Sequence, residues 1–128
     1  MELKSKVKEI MSSDLIIVEP HMQLSQFRRD FKAKGIHHVL VENDLGHLVG
    51  IISLNDILKE ENLATSGKLT ADKLMTLNPE CINEEQTVDT ALNIFLKNMY
   101  RALPVTNADA ELVGIITPYD ILNHIAKL

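Results

Sequence analysis

Cysteine occurs only once in the 128 residues, at Cys81. One thiol cannot build an internal disulfide framework, so a reducing compartment, the cytoplasm, is expected. Aromatic residues amount to 4%, and the basic residues are scattered among acidic ones that leave a net charge of -5. Phosphate backbones need clustered Lys and Arg and stacked bases need aromatic platforms, so nucleic acid is not the expected partner. Five glycines, none in a Gly-x-x-x-x-Gly-Lys run, exclude a Walker-type phosphate loop. No apolar run approaches the ~20 residues of a membrane-spanning helix. The opening Met1-Glu2-Leu3-Lys4-Ser5-Lys6 leads into a charged amphipathic stretch rather than an apolar signal region. His37 and His38 are adjacent, and neither a helical His-x-x-x-His nor a paired-cysteine spacing occurs, so the fold is expected to need no metal. Cys81 has no assignable His-Asp relay, and no residue set looks built to break a bond. The expectation is a binding protein, not an enzyme.

What is present is ordinary in amount and unusual in arrangement. Hydrophobic residues make up 45% and charged residues 24%, as in globular proteins. Sliding the chain by 64 residues superposes Met11 on Met75, Phe31 on Phe95, Val41 on Val105 and Asn43 on Asn107. The same offset carries Leu48-Val49-Gly50-Ile51-Ile52 onto Leu112-Val113-Gly114-Ile115-Ile116, and Asp56-Ile57-Leu58 onto Asp120-Ile121-Leu122. About a dozen identities fall in one ungapped span, which marks a duplication; two copies are too few for a solenoid.

Each copy reads helix-strand-helix-strand-strand-helix, a mixed α/β class. Short helices are expected at Val7 to Met11 and Ala71 to Met75, and brief strands near Leu15 to Val18 and Cys81 to Ile82. The apolar stripe of the next helix is Leu24, Phe27 and Phe31 in one copy, and Val88, Ala91, Leu92, Phe95 and Met99 in the other. Thr87 is a candidate N-cap. Paired strands follow, Val39 to Val41 with Leu48 to Ile52, and Leu103 to Val105 with Leu112 to Ile116. Asn43-Asp44-Leu45-Gly46 is a hairpin signal, and Asn107-Ala108-Asp109-Ala110 a weaker one. The final helices carry Ile57 and Leu58, or Ile121, Leu122 and Ile125. Thr65-Ser66-Gly67 lies in a linker, giving expected domains 1–60 and 70–128 around 61–69. A copy of about 55 residues is marginal alone, so the pair is expected to be the folding unit.

Gly50-Ile51-Ile52-Ser53-Leu54-Asn55-Asp56 and Gly114-Ile115-Ile116-Thr117-Pro118-Tyr119-Asp120 resemble the Gly-apolar-apolar-Ser/Thr-x-x-Asp signature of the CBS domain family. Arg101-Ala102-Leu103-Pro104-Val105 and Asn78-Pro79-Glu80-Cys81-Ile82 support the resemblance. It implies two tandem CBS domains (a Bateman module) packed through their sheets with pseudo-two-fold symmetry. It further implies two clefts that take AMP, ADP, ATP or S-adenosylmethionine, a homodimer, and a regulatory role towards an attached or partner protein.

The residues the resemblance singles out also have a plain reading. A carboxylate at Asp120 or Asp56 can accept hydrogen bonds from the ribose hydroxyls, with the Thr117 or Ser53 hydroxyl beside it. The same residues form helix capping boxes, and Pro118 suits a first helical position. Arg101 could grip a phosphate with its fork, and His37 or His38 could offer a weaker donor; a solvated Arg and histidines packed at a strand start are the alternatives. Tyr100 and Ile36 fall where family members flank adenine. By family analogy, Thr117 and Asp120 would face Ile36 and His37 with backbone around Ile17. Ser53 and Asp56 would face Tyr100 and Arg101 with backbone near Cys81. Leu40 and Leu54 stand where the second copy has Pro104 and Pro118, so the first copy is the less typical. The competing reading is a ligand-free dimerisation or protein-interaction module built on the apolar final helices.

Overall fold

The structure, a computed structural model, describes residues 3–33, 37–60 and 68–128. The chain divides into two compact units, one of Ile16–Pro79 and one of Met1–Leu15 with Glu80–Leu128. Both are mixed α/β, each built on its own sheet.

In the first unit the order is β1 (Ile17–Val18), α1 (Leu24–Ala33), β2 (His38–Glu42), β3 (Leu48–Ser53), α2 (Leu54–Glu60), α3 (Ala71–Leu74) and β4 (Thr76–Leu77). The sheet runs β1-β2-β3-β4, with β1 parallel to β2 and the other pairs antiparallel. Val39, Leu40 and Val41 are all buried, so β2 reads as a continuous apolar run rather than an alternating one. Leu24, Phe27 and Phe31 recur at helical spacing and bury against Val39, Val41, Ile52 and Ile57, which fixes the face of α1. In the β2–β3 hairpin, the Asn43 side-chain oxygen accepts from Leu45 and His47 backbone N–H at 3.0 Å, and Gly46 takes φ +78°.

The second unit contains a single 3-10 turn at Val7–Glu9, then β5 (Ile82–Asn83), α4 (Val88–Asn98), β6 (Leu103–Thr106), β7 (Leu112–Ile116) and α5 (Pro118–Ala126). Its sheet runs β5-β6-β7 with the same parallel and antiparallel pairings. Val7, Val88, Ala91, Phe95, Leu103, Val105, Ile116 and Ile121 form the core. The hairpin repeats the Asn-centred geometry through Asn107, but Ala110 occupies the left-handed position of Gly46, at φ +61°.

Sequence repeats and packing units do not coincide. Ser12, from the opening segment of the first repeat, bridges Ile115 of β7 in the second unit. Thr76, its repeat equivalent, pairs with Ile51 of β3 in the first unit. The exchange recurs at every matching position. Lys6 bridges Thr87 while Thr70 bridges Gln23. A methyl group added to Gly114 would overlap Met11 and come within 3.0 Å of the Ser12 carbonyl oxygen, and one added to Gly50 would overlap Met75. Glycine is thus needed on β3 and β7 because the exchanged methionine lies directly upon them.

Several local expectations are corrected by this exchange. The pairing β3–β4 lies outside the six-element reading. The first short helix is only the turn Val7–Glu9. The opening strands begin later, at Ile17 and Ile82. Thr87 occupies the N-cap position of α4, but its hydroxyl bonds to the side chains of Asp89 and Thr90 instead of capping. The reason lies in the N-terminal segment, whose Ser5 and Leu3 carbonyls accept from Val88 and Asp89 N–H at 2.8 and 2.9 Å. Met99 is not part of the apolar stripe; it is the left-handed C-cap of α4, 82% exposed. The linker expected at 61–69 falls mostly on residues 61–67, outside the described residues.

Candidate functional site

The ten expected site residues form five pairs related by the 64-residue offset: Ile17 and Cys81, Ile36 and Tyr100, His37 and Arg101, Ser53 and Thr117, Asp56 and Asp120. Ile36 lies outside the described residues. Of the others, His37 and Arg101 precede β2 and β6, and Ser53 and Thr117 stand where β3 and β7 give way to α2 and α5. Asp56 and Asp120 lie in the first turn of those helices, and Ile17 and Cys81 stand at the start of β1 and just before β5.

In the second unit, Thr117 is the N-cap of α5 with Pro118 at the helix start. The Asp120 Oδ2 accepts from Thr117 N at 2.8 Å and from Thr117 Oγ1 at 3.1 Å, while Asp120 N donates to Thr117 Oγ1 at 3.4 Å. Asp120 Oδ1 receives no hydrogen bond among the described residues. In the first unit Asp56 Oδ2 accepts from Ser53 N at 2.9 Å, and Asp56 N donates to Ser53 Oγ at 3.0 Å. Asp56 Oδ1 is likewise open. The cap therefore engages only one of the two oxygens of each carboxylate. Oδ2 is spent on orienting the side chain, and Oδ1 is presented beside a Ser or Thr hydroxyl as an acceptor.

The cationic candidates follow from strand register. His38 pairs with Ser53, and the His37 carbonyl accepts from Leu54 N at 2.7 Å, which ties His37 to the first turn of α2. Leu103 pairs with Ile116, the last residue of β7, and Arg101 lies two residues before Leu103. The left-handed Met99 turns the chain out of α4, and Tyr100 and Arg101 emerge exposed. Ile17 and Val18 face opposite sides of β1: Val18 enters the core and Ile17 stays 45% exposed. Cys81 directly precedes β5 and keeps exposed surface; partial burial of its sulfur, with the Glu80 charge adding, pushes the thiol pKa up. A raised pKa keeps it protonated and poorly nucleophilic.

One concave feature was not anticipated. A groove of about 680 Å³ between α1 and α2 of the first unit is lined by Arg28, Arg29, Leu54, Ile57 and Leu58, among others. It holds none of the expected ribose or cation residues. Its signal in the sequence is a substitution between repeats, because Leu92 and Asn93 stand where the first copy has Arg28 and Arg29. Among the described residues no cluster of three His, Cys, Asp or Glu could hold a metal ion, and no helix is long and apolar enough to cross a membrane.

Two sheets sharing a parallel-antiparallel three-strand core, each followed by a helix that opens on a Ser/Thr-x-x-Asp cap, define a duplicated α/β class. The chain belongs to the CBS domain family, whose model matches residues 7–62 and 71–127. It is 33% identical over 127 residues to the uncharacterized protein MJ1404 of Methanocaldococcus jannaschii, covering 98% of this chain and 29% of that protein. The chain thus spans under a third of that relative's length. Among solved structures, it is 27% identical to the CBS domain pair of protein MJ0100 in complex with 5'-methylthioadenosine and S-adenosyl-L-methionine. The TM-score is 0.84, with 96% of this chain and 97% of that one covered. The fold also matches CBSX2 in complex with AMP, at a TM-score of 0.82 and 24% identity over 95% of this chain and 96% of that one.

Proposed function

We propose that this chain is a regulatory module that binds adenosine-containing ligands, with no catalytic activity of its own. The observation that carries the reading is the pair of oriented carboxylates, Asp120 and Asp56, each with Oδ1 open beside a hydroxyl. A ribose presents two adjacent hydroxyl donors, which suits that acceptor geometry. In this reading Ile17, Ile36, Tyr100 and backbone near Cys81 flank the base, and Arg101 and His37 serve the phosphates. The adenosine ligands in the MJ0100 domain pair support it. Regulation requires that ligand favour one of two arrangements of the module, and a cytoplasmic homodimer acting on a partner protein is the proposed setting.

A second reading, a ligand-free interaction module, draws on exposed apolar side chains. Tyr119 and Leu122 on α5 are 71% and 65% exposed, and Leu96 on α4 is 68% exposed. A thermal-shift panel of AMP, ADP, ATP, S-adenosylmethionine and 2'-deoxy-AMP separates the two. Ligand at 100 times its Kd adds about 2.7 kcal/mol, equivalent to a rise of several degrees in Tm for a chain of this size. A shift that weakens with the deoxy compound and diminishes in Asp120→Asn supports the sensor. A flat panel supports the interaction module and leaves both carboxylates as helix caps.

A further inference from the structure

The groove between α1 and α2 of the first unit contains none of the residues assigned to nucleotide binding, yet it has the build of a recognition surface. One wall is α1, where Ser25, Arg28 and Arg29 stand at i, i+3 and i+4 and are all exposed. The other wall is α2, where Leu54, Ile57 and Leu58 repeat the same spacing. Phe31 and Ile57 are buried and make the floor, while Leu58 stays 51% exposed at the rim. Asp30, next in sequence to the arginines, does not line the groove. Two adjacent guanidinium groups beside an aliphatic floor are a local positive spot on a chain of net charge -5. The second repeat lacks the combination. Leu92 and Asn93 replace the two arginines, and the neighbouring exposed side chains Leu96 and Leu122 are uncharged.

We propose that this groove docks an acidic amphipathic helix of the protein that the module regulates. The inference rests on the reading above only in taking the module to act on a partner protein; it does not require nucleotide binding. A helix laid between α1 and α2 sets its aliphatic side chains, at i and i+3 or i+4, onto Ile57 and Leu58. Its flanking carboxylates accept paired N–H donors from Arg28 and Arg29, whose planar forks match that geometry. The ten residues of α1 span about 15 Å, the length of about three turns of the partner. A second copy of this chain is a poorer occupant. Groove against groove sets the arginine pairs against each other, and the Asn93, Leu96 and Leu122 face brings no counter-charge. The uncharged face of the second repeat thus suits association of like with like, and the cationic groove of the first suits an unlike, acidic partner.

Fluorescence anisotropy on the intact chain tests this with three labelled peptides of about 14 residues, some four helical turns. The first has Leu along one helical stripe and Glu on both flanks, the second has Lys in place of Glu, and the third disperses the same Leu and Glu around the helix. The first is expected to bind roughly tenfold or more tightly than either control, and to weaken as salt rises from ~50 to ~300 mM. Arg28→Glu combined with Arg29→Glu should cost roughly tenfold or more in its affinity. Leu58→Ser, at an exposed position that leaves the fold in place, should weaken it several-fold, and Leu122→Ser in the second unit should leave it within about twofold. Equal binding of acidic and basic peptides, or affinity that survives both the arginine and Leu58 variants, would overturn the inference. So would sedimentation showing that the arginine variant dissociates a dimer, which gives the groove to a second copy, or arginine-dependent binding of dodecanoate without peptide binding, which gives it to a small amphiphile. A chain that shifts its Tm with AMP and ignores the peptides loses this inference and keeps the nucleotide reading; the converse result separates them the other way.

Discussion

Replacing Val7 with alanine should loosen the sheet of the second repeat, although Val7 opens the first repeat in sequence. Val7 is fully buried in the core with Ile82, Val88, Phe95, Leu103 and Ile116. Removing two methyl groups forfeits about 1.6 kcal/mol of transfer free energy at ~0.8 kcal/mol per group. A residual cavity of about 35 Å³ adds roughly 0.8 kcal/mol at ~24 cal/mol per Å³. The sum, about 2.4 kcal/mol, is roughly a 60-fold rise in the open population of whatever unit Val7 stabilises. Native-state hydrogen exchange reads this amide by amide. Leu103, Val105 and Ile116, in β6 and β7, should exchange some 60-fold faster, with a much smaller change at Val39, Val41 and Ile52 of the first unit. Leu74→Ala gives the reciprocal test, since Leu74 precedes the second repeat's first strand yet packs in the first unit's core. A Val7→Ala effect as large in β2 and β3 as in β6 and β7 would refute the assignment of packing units.

Two further outcomes follow from local geometry. Ala110 holds φ +61° where the first hairpin has Gly46, so Ala110→Gly should raise stability by about 0.5–1 kcal/mol, read as a higher denaturation midpoint; a lower midpoint would show that the left-handed turn is not strained. Glu85 is held to a pKa of about 2 by hydrogen bonds from Lys6 and Lys8, at 2.7 and 2.6 Å, against an ordinary value of 4.5. A depressed folded-state pKa gives stability that is present above pH 4.5 and lost as pH falls towards 2. Glu85→Gln should therefore flatten the fall in Tm across that window, and do so less in high salt because the pair is exposed; an unchanged slope would mean the pair contributes nothing.

What the sequence by itself determined is what short stretches of chain encode. The α1 stripe of Leu24, Phe27 and Phe31, the Asn-centred hairpins and the Ser/Thr-x-x-Asp caps all depend on residues within a turn or two of one another, and the duplication shows by comparing such stretches between the copies. Each appears in the structure at its expected position. The caps were legible for the same reason, since Ser53 to Asp56 and Thr117 to Asp120 are each a single helical turn. The tertiary structure alone decided which segment completes which sheet. Thr76–Leu77 is two residues long and Ser12 forms only one bridge, too short to display any period, and their partners lie some 25 to 100 residues away along the chain. That exchange in turn supplies the carbonyls that relieve Thr87 of capping and places Met11 and Met75 over Gly114 and Gly50. Periodicity reports which face of an element is buried; the identity of what buries it is settled only when distant segments compete for the same sheet edge.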